Sequence, residues 1–191
     1  MKPESDRGVS LPGTTSEPSA LGIELSAALG VRAGDGHAGV GLGLSSLLQI
    51  SSWFAGFQAR AEQYQGSNDR VALLEVGILT GKRIEFDPVA LDFLAGPMFA
   101  LQGTTRKSDV VAAPQGDSTT GIERTEIVSE SGVETRAFFG TRLSFAPRST
   151  LHAFVALDGD VALSRGEDIS GAGTLPAWTL GLSVGSTVGT P

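Results

Sequence analysis

The chain has 191 residues, with 14 Lys or Arg against 21 Asp or Glu, 26 glycines and no cysteine. Zero cysteine excludes disulfides, thiolate metal sites and a cysteine nucleophile, and a net charge of −7 with no basic patch argues against a nucleic-acid partner. No stretch approaches the ~18 consecutive apolar residues of a membrane helix, but a strand that crosses lipid escapes that test because its signal is alternation.

Residues 1–20 carry three prolines, scattered charge and no apolar core of a signal peptide. They are expected to form a disordered tail, with the natural leader removed and Met1 added. From Leu21 the period becomes two. Leu21, Ile23, Leu25, Ala27, Leu29 and Val31 alternate with Gly22, Glu24, Ser26, Ala28, Gly30 and Arg32. Such alternation predicts a strand with two unlike faces. Seven more runs follow. The second sets Val40, Leu42 and Leu44 against Gly39, Gly41 and Gly43; the third starts at Trp53 and sets Phe57 and Ala59 against Gln58, Arg60 and Glu62. The fourth places Leu74, Val76 and Ile78 opposite Glu75 and Gly77, and the fifth Leu91, Phe93 and Phe99 opposite Asp92 and Leu94. The sixth has Phe139, Leu143 and Phe145 against Arg136 and Arg142, and the seventh Val155, Leu157 and Val161 against His152, Asp158 and Asp160. The eighth sets Trp178, Leu180 and Leu182 against Thr179, Gly181 and Ser183. Each run covers roughly 10–13 residues, near the ~9–11 that cross a bilayer at a tilt.

Connection lengths add independent information. The even connections, near residues 49–52, 82–88 and 146–150, are short. The odd ones at 103–132 and 164–174 are long, and the first, at 33–37, is short. Antiparallel neighbours collect the short turns at one end and the long loops at the other, as in outer-membrane barrels. The less apolar face is mostly Gly, Ala and Ser with isolated charges, which suits the narrow interior of eight strands better than a solvated sheet. The expected fold is therefore all-β: an eight-stranded antiparallel up-and-down transmembrane β-barrel over residues 21–186, with tails at 1–20 and 187–191. A soluble lipocalin-type ligand-binding barrel, with its apolar face inward, is the alternative. Trp53 and Trp178 at strand starts and Phe145 at a strand end are placed in an interfacial girdle.

The segments LDFLAGPMFALQ (91–102), LHAFVALDGDVAL (151–163) and AWTLGLSVG (177–185) resemble the small bacterial outer-membrane β-barrel superfamily, the OmpA/OmpX-like group. The resemblance implies a Gram-negative outer membrane, contact with its lipid, periplasmic termini, extracellular long loops and insertion by the barrel-assembly machinery. Two features depart from the group: the chain does not end on an aromatic residue, and its only tyrosine is Tyr64.

Inward charges in a narrow lumen need partners or water. The expected lumen network comprises Glu24, Arg60, Glu75, Asp92, Arg136, Arg142, His152, Asp158 and Asp160, with Arg32 and Glu62 on the same face. Strand order pairs Arg60 with Glu75, Arg142 with Asp92 or His152, and Arg136 with Asp160. The function expected is structural or surface-interacting, with a plugged lumen; a narrow pore is the runner-up. Because some barrels of the group modify lipid A with a Ser/His/acid set, His37, Ser67 and Asp35 or Asp69 form the sole catalytic candidate, against their reading as ordinary turn residues. No enzyme activity and no cofactor is expected. Asp158-Gly159-Asp160 and Asp35-Gly36-His37 lack the ligand spacing of a metal site. Gly39-Val40-Gly41-Leu42-Gly43 lacks the helix and Gly-Lys ending of a phosphate loop. The long loop is expected to extend its hairpin in part above the membrane, and it offers either an adhesive surface or a solvated one.

Overall fold

The computed structural model describes residues 21–66, 69–111, 123–164 and 176–189. The expected tail at 1–20, Ser67, the tip of the long loop and most of residues 164–174 lie outside them. Eight strands follow one another: β1 (Leu21–Gly34), β2 (His37–Ile50), β3 (Trp53–Gln65), β4 (Asp69–Phe86), β5 (Val89–Val111), β6 (Glu123–Phe145), β7 (Leu151–Ser164) and β8 (Trp178–Gly189). Each pairs antiparallel with the next, and β8 closes on β1 to complete a barrel. Closure removes both sheet edges, so the ladder runs around the whole wall.

Turn chemistry fixes the hairpins. Asp35 and Gly36 have φ of 44° and 78° and join Gly34 to its partner His37. That two-residue, positive-φ loop matches the right-handed twist of the flanking strands. Ser51 and Ala146 also take positive φ, at the opposite end. There Ala146 N–H donates to Pro88 O at 2.8 Å, which ties two short turns together.

Three boundaries differ from the sequence reading. The turn expected at 82–88 shrinks to Asp87 and Pro88, because β4 runs on to Phe86 and places Arg83 inside the barrel. The connection at 103–132, expected to extend its hairpin only in part, is largely strand: β5 and β6 stay paired from Val89↔Phe145 to Val111↔Glu123, an extended hairpin. Finally, β8 continues past residue 186 to Gly189, where Thr187 pairs with His152 and bonds Ser26. In each case polar sequence hid a strand whose backbone bonds go to its neighbours.

Pro97 sits in the middle of β5. The β4–β5 ladder skips Ile78–Pro97 and Leu79–Gly96 and resumes at Gly77↔Met98. Proline has no N–H to give to the neighbouring strand, so the gap falls at its position.

The apolar face points outward. Leu29, Phe57, Ile78, Leu101, Leu151 and Val184 are each more than half exposed, and large hydrophobic side chains ring the wall on all eight strands. Most strand charges point inward, as the alternation predicts, while Arg70, Lys82 and Glu85 of β4 are exposed.

Candidate functional site

The lumen holds two ionic clusters with an apolar layer between them. At the short-turn end, Arg83 from β4 and Arg142 from β6 face Glu24 from β1 and Asp92 from β5. Arg83 donates through Nε to Asp92 Oδ1 at 2.7 Å and through Nη1 to Glu24 Oε1 at 2.7 Å. Arg142 donates through Nε to Asp92 Oδ2 at 2.8 Å, through Nη2 to Glu24 Oε2 at 2.8 Å and through Nη1 to Ser26 Oγ at 3.1 Å. Both guanidiniums lie near aromatic rings, Arg83 at 4.7 Å from the Phe54 centroid and Arg142 at 5.2 Å from that of Phe154. Two cations face two anions, each charge is donated to or accepted from more than once, and the cluster is neutral. That is the arrangement in which buried ions tolerate low dielectric.

Toward the long-loop end, Arg32, Arg60 and Arg136 face Glu62, Glu75, Glu134, Asp158 and Asp160. Arg60 reaches two other strands, β4 and β7: Nε donates to Glu75 Oε2 at 2.7 Å, Nη1 to Asp158 Oδ1 at 3.1 Å and Nη2 to Asp160 Oδ2 at 2.7 Å. Arg136 Nε donates to Asp160 Oδ1 at 2.6 Å, its Nη1 to Glu134, and its Nη2 to Pro176 O at 2.9 Å. Arg32 Nε meets Glu62 Oε1 at 2.6 Å, Nη1 donates to Thr179 Oγ1 at 2.9 Å, and Nη2 meets Asp158. The Tyr64 hydroxyl donates to Glu62. Glu75 is fully buried, and its Oε1 lies 3.6 Å from Arg136 Nε with no hydrogen bond.

Between the clusters Leu47, Phe54, Leu79, Met98 and Phe138 pack together, with Leu94 against them. They leave a cavity of about 60 Å³ lined by Ser45, Gln58, Ser183 and neighbours. A space of this size holds a few waters and no organic ligand. The rest of the described interior is occupied by the two ionic clusters and the apolar layer.

The structure thus brings Arg60 to Glu75, Arg136 to Asp160 and Arg142 to Asp92. His152 takes no part in those bonds: its Nδ1 lies 3.2 Å from Ser149 O, and its buried Nε2 has no partner among the described residues. Arg83, Glu134, Ser144 and Tyr64 belong to the clusters but were not among the residues expected there. The signal for Arg83 was its odd parity with Glu75 along β4. Tyr64 and Glu134 share parity with Glu62 and Arg136. Trp53 begins β3 at the short-turn end, Trp178 begins β8 at the long-loop end, and Phe145 closes β6. All three point outward.

The catalytic candidate at the mouth is not assembled by Asp35. Its carboxylate accepts from Ala177 N–H, while His37 Nδ1 lies 3.1 Å from the Asp35 backbone carbonyl. Ser67 and the Asp69 side chain fall outside the described residues. Among the described residues, no three His, Asp or Glu side chains are arranged to hold a metal ion.

A closed eight-stranded wall, apolar outside and charged within, has solved counterparts. The chain has the fold of the small outer-membrane β-barrels. Neisserial surface protein A is 14% identical with a TM-score of 0.51, over 88% of this chain and 96% of its own. A major outer membrane protein from Thermus thermophilus is 12% identical with a TM-score of 0.59, over 89% of this chain and 99% of its own. The outer membrane enzyme PagL is 18% identical with a TM-score of 0.49, over 86% and 98%. Likeness at such identities is likeness of fold. No protein-family model matches the chain, and no curated protein matches it.

Proposed function

We propose that the chain is a transmembrane barrel of a bacterial outer membrane, a plugged scaffold that presents its long-loop end for surface interaction. One observation carries this reading: the distribution of side chains is inverted relative to a soluble barrel. Phe57 is 67% exposed and Leu21 66%, while Arg136, Glu75 and Asp92 are fully buried. Soluble monomers rarely show contiguous apolar patches above ~300–600 Å², and here the patch encircles the wall. Lipid removes that cost, and the closed ladder meets the demand that every backbone group in hydrocarbon find a partner within the protein.

The lumen residues, from Glu24 and Asp92 at one end to Arg136 and Asp160 at the other, then act as a cross-braced plug. Trp53, Phe145 and Trp178 act as the interfacial girdle. Insertion is assigned to the barrel-assembly machinery, since a wall with no water-soluble face needs help to reach the membrane. The paired β5–β6 extension at the long-loop end is the natural platform for a protein partner.

Solubility tests the reading most directly. The purified chain is expected to need detergent to remain monodisperse and to float with phospholipid vesicles. A chain that stays monomeric in plain buffer overturns the proposal. In planar bilayers the filled lumen is expected to give no sustained open-channel current, and large stable steps would replace the plug with a pore.

A further inference from the structure

A groove of about 690 Å³ runs across the outer wall, between Leu25, Phe57, Ala59, Ile78, Pro97 and Phe99. Its volume is that of a ligand cleft, ~300–1,000 Å³. It lies at mid-height on β1 to β5, where the ladder gap at Pro97 falls.

The register below it is informative. Going toward the short-turn end, the next outward row is Ala55↔Thr80↔Ala95, three small side chains on neighbouring strands. The row after that is Trp53↔Lys82↔Phe93. Lys82 is exposed, stands between two outward aromatic side chains, and holds its Nζ 5.5 Å from the Trp53 ring centroid. The groove therefore continues through a low saddle to a single cation at the level of the girdle. Four residues separate Lys82 from Ile78, about 13 Å along the strand. At a strand tilt of about 40° this becomes about 10 Å of depth, close enough to the edge of one leaflet's ~15 Å of hydrocarbon for the lysine stem to carry its ammonium to the interface.

We propose that this surface is a binding site for an anionic phospholipid of the leaflet at the short-turn end. The headgroup phosphate sits on Lys82 beside Trp53, and one acyl chain passes over Ala55, Thr80 and Ala95 into the groove. Charge complementarity selects the headgroup and depth selects the chain. The inference rests on the membrane reading above and goes beyond it by naming a lipid class and a location.

Trp53 reports on the site directly. In a Trp178→Phe background, vesicles of phosphatidylcholine are doped with equal mole fractions of phosphatidylglycerol or phosphatidylcholine brominated on the acyl chain. Brominated phosphatidylglycerol is expected to quench Trp53 with roughly fivefold higher affinity, the contribution of one lysine at an anionic surface. Lys82→Gln is expected to abolish the preference. Ala59→Phe, which fills the groove and leaves Lys82 in place, is expected to reduce it. Added salt is expected to erode it in the unmutated chain. Equal quenching by the two lipids means annular lipid only and overturns the inference while the membrane reading stands. A preference untouched by Ala59→Phe overturns the groove's part in it. No quenching by either lipid overturns both readings.

Discussion

Arg142 offers the sharpest test of the lumen as a structural plug. Arg142→Met keeps most of the side chain's length and removes its charge, together with its bonds to Asp92, Glu24 and Ser26. Arg83 is then left alone against two buried carboxylates. Breaking a buried pair by removing one partner typically costs about 3–5 kcal/mol, mostly because the remaining charge stays desolvated. The side chain is buried to within a few per cent, so solvent screening takes little from that figure. Adding Glu24→Gln to the variant restores one cation to one anion, and the double variant is expected to be more stable than the sum of the single changes by about 0.5–3 kcal/mol. Urea unfolding in phospholipid vesicles, followed by tryptophan emission, measures each free energy. The heat-modifiable shift on gels gives an independent check of folding. If Arg142→Met unfolds within about 0.5 kcal/mol of the parent, the scale of an ordinary surface change, or if the two changes add without coupling, the cluster does not brace the barrel.

Other expectations are as specific. Phe57→Lys should cost about 2–4 kcal/mol if that face is in lipid, whereas an exposed position in water changes by only about 0.5 kcal/mol; equilibrium unfolding in vesicles separates the two. Gly36 has φ of 78°, so Gly36→Ala should cost about 1–2 kcal/mol by steric strain in the turn, read by the same assay. Tyr64→Phe removes the only hydroxyl donor given to Glu62 by a side chain on its own strand and should cost about 1.5–3 kcal/mol. A Tyr64→Phe barrel as stable as the parent would show that water replaces the hydroxyl.

The faces of the barrel were legible because period two is a property of sequence alone. Glu24 and Arg32 share parity and therefore a face, whatever β1 pairs with. The count of alternating runs set the strand number, and the bias in connection length distinguished the two ends. What parity cannot give is axial offset between non-neighbouring strands. Arg32 on β1 meets Glu62 on β3 and Asp158 on β7 across the lumen, contacts set by the stagger of the whole closed sheet. Arg60 and Glu75 were easier, since they are direct cross-strand partners. Strand ends were the weakest part of the reading. Polar residues near 83, 105 and 187 look like loop by composition, yet they extend strands, because inside a barrel polar side chains are the rule on one face. The apolar layer of Leu47, Phe54 and Phe138 was hidden by the same expectation of a polar interior.

Seven of the eight strand pairings join consecutive strands, and only β1 with β8 spans the chain, from Glu24↔Gly189 to Ala33↔Leu180. Hairpins close short loops and form early; a contact between residues more than 140 positions apart comes late. The polar bonds at the closing seam are those of Ser26 with Thr187 and of Arg32 with Thr179. Arg142 in turn binds Glu24 of β1 itself, and Arg60 binds Asp160, which also accepts from Thr179 of β8. A partly formed sheet would hold these charges open to water, and only the final seam allows them all to be matched. The last pairing to form is thus the one that seals the interior, so opening of the β1–β8 seam should release both clusters together and leave no half-open barrel with its ions at rest.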